Sequence, residues 1–357
     1  MNRFAWLVRR EVWEHRAIWM APAIVLAILL LGAVTGTLFI GDIVVDADTT
    51  GAEAGRTLSK EEMEKLKNEI DNWTVGVSDE ERQAALDKLE RMEEGRVVGP
   101  AEALGMVPKA KQLKIVGLFY AAVAMLVVFV MGTIAFFYSL DALYSDRRDR
   151  SVLFWKSLPL SDAETVLAKF FTAAVAIPVV AAAAALLAQL IAAAGASAKV
   201  TMIGGDPSVL WNPAVLATAI GSVGLLAAVS VLWYAPLVAY LLLVSAWSPR
   251  SPFLWASLPP VALVMLERIA FGTAYVQAFL VHRFLGPFKA MVNDTSHAPG
   301  VVVRQQGGGL DVATAAADLG GRILDFVISP SMLVGLLGAA ALIAAAIWGR
   351  RYRDENT

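Results

Sequence analysis

The sequence predicts an all-α integral membrane protein with six transmembrane helices. Three observations carry that prediction: the composition, the length of the apolar runs, and the side on which their basic flanks fall. Hydrophobic residues make up 57% of the 357 and charged residues 17%, with a mean hydropathy of +0.61. A soluble globular chain holds roughly 45 to 50% apolar and about 25% charged residues. A hydrocarbon core about 30 Å thick needs roughly 20 apolar residues in a helix, and runs that meet this demand cover 18–40, 113–140, 169–196, 214–246, 253–280 and 331–348. Lys and Arg mark the cytoplasmic flanks of membrane spans. Arg3, Arg9, Arg10 and Arg16, then Arg147, Arg148, Arg150, Lys156 and Lys169, then Arg250, then Arg350, Arg351 and Arg353 all fall on one side when both termini are cytoplasmic.

The same composition excludes other classes. A formal charge of -2 lacks the basic face that a nucleic-acid partner needs. Without cysteine there is no disulfide framework, thiolate metal site or cysteine nucleophile. The first apolar run follows a basic start, but it is longer than a signal-peptide core and ends without an Ala-x-Ala-like cleavage site, so it reads as a retained span.

Taken in order, 1–17 reads as an interfacial helix, with Phe4, Leu7, Val8 and Trp13 toward one side and Arg9, Arg10, Glu14 and Arg16 largely elsewhere. After span one, 41–112 forms a large extracytoplasmic insertion. Ser59 with Glu62 and Ser78 with Glu81 are two capping boxes. Met63, Leu66, Ile70 and Trp73 share one helical face, Ala85, Leu86, Leu89 and Met92 another, and Gly95 ends the second helix, which together predict an acidic helical hairpin. A cytoplasmic loop covers 141–168, an extracytoplasmic loop 197–213 carries the interfacial Trp211, and a short cytoplasmic loop covers 247–252. The Gly-rich stretch 281–330 is extracytoplasmic or re-entrant, and 349–357 is a cytoplasmic tail. Spans three and six are crowded with Ala and Gly, which lets helices approach closely within one protomer or across a dimer. Pro178, Pro236, Pro259 and Pro260 interrupt apolar runs, where they kink or break helices.

The chain has no phosphate-binding loop, no His-Glu-x-x-His zinc spacing among His15, His282 and His297, and no Gly-x-Ser-x-Gly elbow. No catalytic, cofactor or metal residue is therefore assigned. Polar residues within spans are the remaining candidates for a translocation path: Gln189, Glu267 and Arg268. Each has a plainer reading, Gln189 as a hydrogen bond to a neighbouring helix and the adjacent Glu267 and Arg268 as an outer-interface pair that reaches water. Lys114 and Lys169 stand at span ends and read as snorkelling side chains.

The segment between spans two and three is the most distinctive. "SVLFWKSLPLS" is short, apolar-aromatic and flanked by basic residues, although a positive-inside loop with an aromatic anchor has a similar composition. The order of its parts resembles the permease subunits of ABC-2 type transporters. Asp146-Arg147-Arg148 is followed by the short hydrophobic stretch Ser151 to Ser157, then Leu158-Pro159-Leu160-Ser161, a polar helix start at Asp162-Ala163-Glu164, and Lys169 entering span three. The N-terminal helix and six spans agree with that family in architecture. Family members often show Glu-Arg and then Gly-Thr here, whereas this chain has Asp-Arg-Arg and then Arg-Ser.

The resemblance implies a division of labour. Two permease copies, identical or related, pair with two separate ATPase subunits that bind ATP and Mg, and the cytoplasmic coupling helix docks into the ATPase. Phe154 and Trp155 would be its apolar anchors, with Val152 and Leu153 in the same coupling segment. Arg147, Arg148, Arg150 and Lys156 would complement acidic ATPase surface, and Pro159 would stop the helix. The expected function is export of a hydrophobic or amphipathic molecule, such as a peptide antibiotic, lipid or drug, across a bacterial cytoplasmic membrane. Cation efflux, a non-transporting scaffold or sensor, and an intramembrane enzyme stand as alternatives.

Overall fold

The computed structural model describes residues 3–35, 109–149, 160–292 and 328–353, together with Glu64, Lys67, Asn68, Gln83 and Leu86. Every regular element among the described residues is helical, and six helices are long and apolar enough to cross a membrane. The protein is a multi-pass membrane protein. The hairpin expected over 59–95 lies outside the described residues apart from those five isolated positions, which are helical.

The first helix, α1 (Arg3–Glu14), buries Leu7 and Glu11. These two lie one turn apart on one face, whereas Trp13 is exposed, so the buried stripe is narrower than the one expected from the apolar residues alone. After a turn at His15, α2 (Ala17–Thr35) is the first spanning helix. The second, α3 (Lys109–Arg148), has 40 residues and is about 60 Å long at 1.5 Å per residue. It outruns any hydrocarbon core.

The third span is also longer than expected. It starts at α4 (Asp162–Phe171), passes through a π-helical turn (Thr172–Ala176) and continues as α5 (Ile177–Met202). Ser161 caps α4: its Oγ accepts from the Glu164 N–H at 3.1 Å and its own N–H donates to Glu164 Oε2 at 2.8 Å, a reciprocal capping box. Of the loop expected over 141–168, residues 141–148 belong to α3 and 162–168 to α4. The π turn precedes Pro178, whose missing N–H and bulky ring disturb the ordinary ladder.

Beyond a short 3-10 turn (Pro207–Trp211), the fourth apolar run divides into α6 (Pro213–Trp233) and α7 (Ala235–Trp247). The break at Tyr234 stands beside Pro236, which cannot continue the hydrogen-bond ladder. The fifth run also divides: α8 (Pro252–Phe271) ends at Gly272, whose φ of 65° is the left-handed helix-ending conformation, and α9 (Tyr275–Val292) follows. The single helix expected over 253–280 is therefore two. The last span is α10 (Pro330–Arg353).

Small residues set the packing. Ala181, Ala184, Ala185, Ala188, Ala192, Ala193 and Ala196 of α5 are buried where α5 lies against α2 and α3, and Ala339 and Ala346 of α10 are buried where that helix packs on α7. Close approach of backbones is what Ala and Gly permit. These positions are covered within one protomer, whereas Ala340, Ala341, Ala344 and Ala345 of α10 are exposed.

Two prolines create a recurring device. Pro260 has no N–H to offer the Ala256 carbonyl one turn back, and Tyr240 Oη donates to that oxygen at 3.0 Å. Pro287 likewise leaves the Arg283 carbonyl without its helical donor, and Trp233 Nε1 supplies it at 2.8 Å. An apolar surround penalises an unsatisfied carbonyl, and at Pro260 and Pro287 an aromatic donor from a neighbouring helix supplies the missing bond.

Candidate functional site at the basic end of the bundle

The basic flanks of α1, α3, α4, α7 and α10 converge on one end of the bundle. There α1 contributes Glu11, α3 contributes Tyr138 and Asp146, α4 contributes Asp162 and Lys169, and α10 contributes Arg350. Lys169 Nζ lies 3.1 Å from Glu11 Oε1 and 3.5 Å from Asp146 Oδ1. Arg350 donates from Nη1 to Asp146 Oδ2 and from Nε to Asp162 Oδ1, each at 3.1 Å. Tyr138 Oη donates to Glu11 Oε2 at 3.0 Å. His15 Nδ1 stands 3.7 Å from the same oxygen, and its ring meets Tyr138 edge-on at 4.6 Å.

This is a chain of alternating charge, Glu11, Lys169, Asp146, Arg350, Asp162, joining four segments distant in sequence. Lys169, Glu11 and Arg350 have side chains only 3 to 4% exposed. Charges this deep persist only when paired and hydrogen-bonded. Lys169 therefore does not snorkel to water, because two carboxylates hold it inside. Removing one partner of such a pair leaves a bare buried charge and costs about 3 to 5 kcal/mol. The adjoining cavity, lined by Arg10, Glu11, Asp146, Thr165 and Lys169, measures ≈ 10 Å³, room for about one water molecule. The cluster is a structural joint and not a substrate pocket.

Arg147 and Arg148 diverge. Arg147 Nη2 donates to the Ser245 and Ser248 carbonyls at 2.6 and 2.9 Å, where a cation meets the negative end of α7. Arg148 is exposed and bonds Asp149 at 3.0 Å. Arg150, Val152, Leu153, Phe154, Trp155, Lys156 and Pro159 lie outside the described residues.

The three path candidates are not brought together. Gln189 is buried and donates through Nε2 to the Tyr120 carbonyl at 3.1 Å, a contact between α5 and α3. Glu267 caps the start of α9: Oε1 accepts from Thr273 Oγ1 and the Tyr275 N–H, and Oε2 from the Val276 N–H, at 2.6 to 2.7 Å. Arg268 bonds Gln277 at 2.9 Å across the same turn. Sequence reasoning passed over Glu11, Tyr138 and Asp162 as parts of a site. The available signal was a carboxylate at the one polar position of an otherwise apolar α1 face, beside Leu7.

Fold and cluster together define a multi-pass helical membrane protein whose N-terminal helix, second and third spans and last span are bolted to one another at one end. No family model, curated protein or solved structure matches the chain.

Proposed function

We propose that this chain is the permease subunit of an ABC-2 type ATP-binding-cassette exporter, moving a hydrophobic or amphipathic molecule across the bacterial cytoplasmic membrane. The observation that supports this best is the position of the ion cluster. Asp146 and Asp162 stand at the two roots of the segment that carries Phe154 and Trp155, and Arg350 bridges them. A force applied to that segment passes directly into α3, α4, α1 and α10. The residue order quoted above, from Asp146 to Lys169, supplies the family resemblance.

On this reading the basic end is cytoplasmic, both termini included, and two permease copies work with separate ATPase subunits that hold ATP and Mg. Closure of the ATPases around nucleotide moves the segment between α3 and α4. The linked helices then shift between inward-open and outward-open populations, by the difference in nucleotide affinity for the two states. Buried carboxylates of the kind a cation path needs are, among the described residues, Glu11 and Asp146, and both are committed to ion pairs. That favours an amphipathic cargo over a cation.

The test is affinity capture of the tagged chain from mildly solubilised native membranes. A soluble ATPase recovered in near-equal amount, and lost when Phe154 and Trp155 are both changed to alanine, supports the assignment. Good recovery of the chain with no ATPase, even after chemical crosslinking, rejects it in favour of a scaffold or sensor.

A further inference from the structure

Away from the ion cluster, where α6 gives way to α7 and α10 begins, Arg283 of α9 is buried, at 8% exposure. Its guanidinium carbon lies 4.5 Å from the centroid of the Trp233 ring. Nη1 makes a long contact of 3.4 Å to the Ser331 carbonyl, while Nη2 is buried without a hydrogen-bond partner. No carboxylate among the described residues pairs with it. Glycine at 335 makes room for the group, since a Cβ there would collide with the guanidinium.

The electrostatics of this position are one-sided. Ser331 and Gly335 belong to the first turns of α10, so Arg283 sits against the positive end of a 24-residue helix dipole. Cations belong at the opposite end of a helix. The Trp233 face offsets part of the cost, and a buried cation, a helix N-terminus and an unsatisfied donor together make a site that a negative group would complete. Its surroundings define the rest of the ligand. Phe284 and Leu285 of α9 and Val334 and Leu337 of α10 are large, apolar and exposed, which suits a hydrocarbon tail beside the charge.

We propose that Arg283 recognises the acidic headgroup, phosphate or carboxylate, of an amphipathic molecule whose apolar part lies along α9 and α10. Calling that molecule a cargo rests on the exporter reading; binding itself requires no ATPase. The test is native mass spectrometry of the full chain in neutral detergent, titrated separately with phosphatidylglycerol, phosphatidylcholine and inorganic phosphate. The wild type is expected to retain phosphatidylglycerol about tenfold more tightly than phosphatidylcholine, the scale of a charge-assisted contact. Arg283→Gln should abolish the preference and Arg283→Lys keep part of it. Gly335→Ala, which displaces the guanidinium while leaving its charge, should weaken the preference and carries the test if Arg283→Gln does not fold. Equal retention of both lipids by the wild type, or an undiminished preference in Arg283→Gln and Gly335→Ala, overturns the proposal. Displacement of phosphatidylglycerol by an equal concentration of inorganic phosphate also overturns it, by identifying a free-anion site. Failure of ATPase capture leaves these outcomes unchanged, so the two readings fail separately.

Discussion

Lys169 Nζ and Glu11 Oε1 are 3.1 Å apart with both side chains nearly inaccessible, and this one pair fixes the N-terminal helix to the root of the third span. Its energetics follow from burial. Either charge alone is a liability, and together they also require Asp146 and Tyr138 to complete their hydrogen bonding.

Lys169→Met should therefore destabilise the protein by about 3 to 5 kcal/mol, and Glu11→Gln should also destabilise it. The double variant Glu11→Gln/Lys169→Met should lose less than the sum, with a coupling of about 0.5 to 3 kcal/mol. Thermal denaturation of the four proteins in one detergent measures this cycle. Strict additivity would show that the pair is not energetically formed.

Arg350→Lys should melt at a lower temperature than the wild type. Arg350 reaches Asp146 and Asp162 through two different nitrogens of a planar fork, and a lysine ammonium cannot reproduce that geometry. The same melting assay reads the loss, and an unchanged midpoint would count against the bridge.

Tyr240→Phe and Trp233→Phe should each cost about 1 to 3 kcal/mol, because each leaves a proline-orphaned carbonyl without its donor. Tyr275→Phe, at a side chain that is 78% exposed, is the control and should be neutral. Equal midpoints for all three would remove the proline-and-donor explanation.

Glu267→Ala should speed hydrogen exchange at the amides of Tyr275 and Val276, which its carboxylate now accepts from. Amides in the middle of α9 should be less affected. Exchange followed by mass spectrometry distinguishes a cap from a transport residue, since a path residue would leave these two amides unchanged.

Trp155→Ala should uncouple ATP hydrolysis from transport in a complex that still inserts and folds. Reconstituted vesicles that report both rates test this directly. Normal transport by the stably inserted variant would refute the coupling role.

The membrane class, the six apolar runs and the convergence of their basic flanks followed from composition and run length, because hydrocarbon thickness acts on local sequence. Proline positions predicted interruptions: helices do break beside Pro236 and widen beside Pro178, whereas α8 runs through Pro259 and Pro260 and ends only at Gly272. The functions of individual polar residues were a different matter. Glu267, open to reading as a path residue or as a group reaching water at the outer interface, caps α9; Lys169 looked like a snorkelling end residue, yet it is buried between two carboxylates. Arg283 lay within a stretch with no predicted fold. The order of residues along the chain determines which segments enter the membrane and where helices can start and stop. Only the tertiary structure decided which charges meet, because Glu11 and Lys169, or Arg350 and Asp146, are far apart in sequence and become neighbours only when four helices pack at one end.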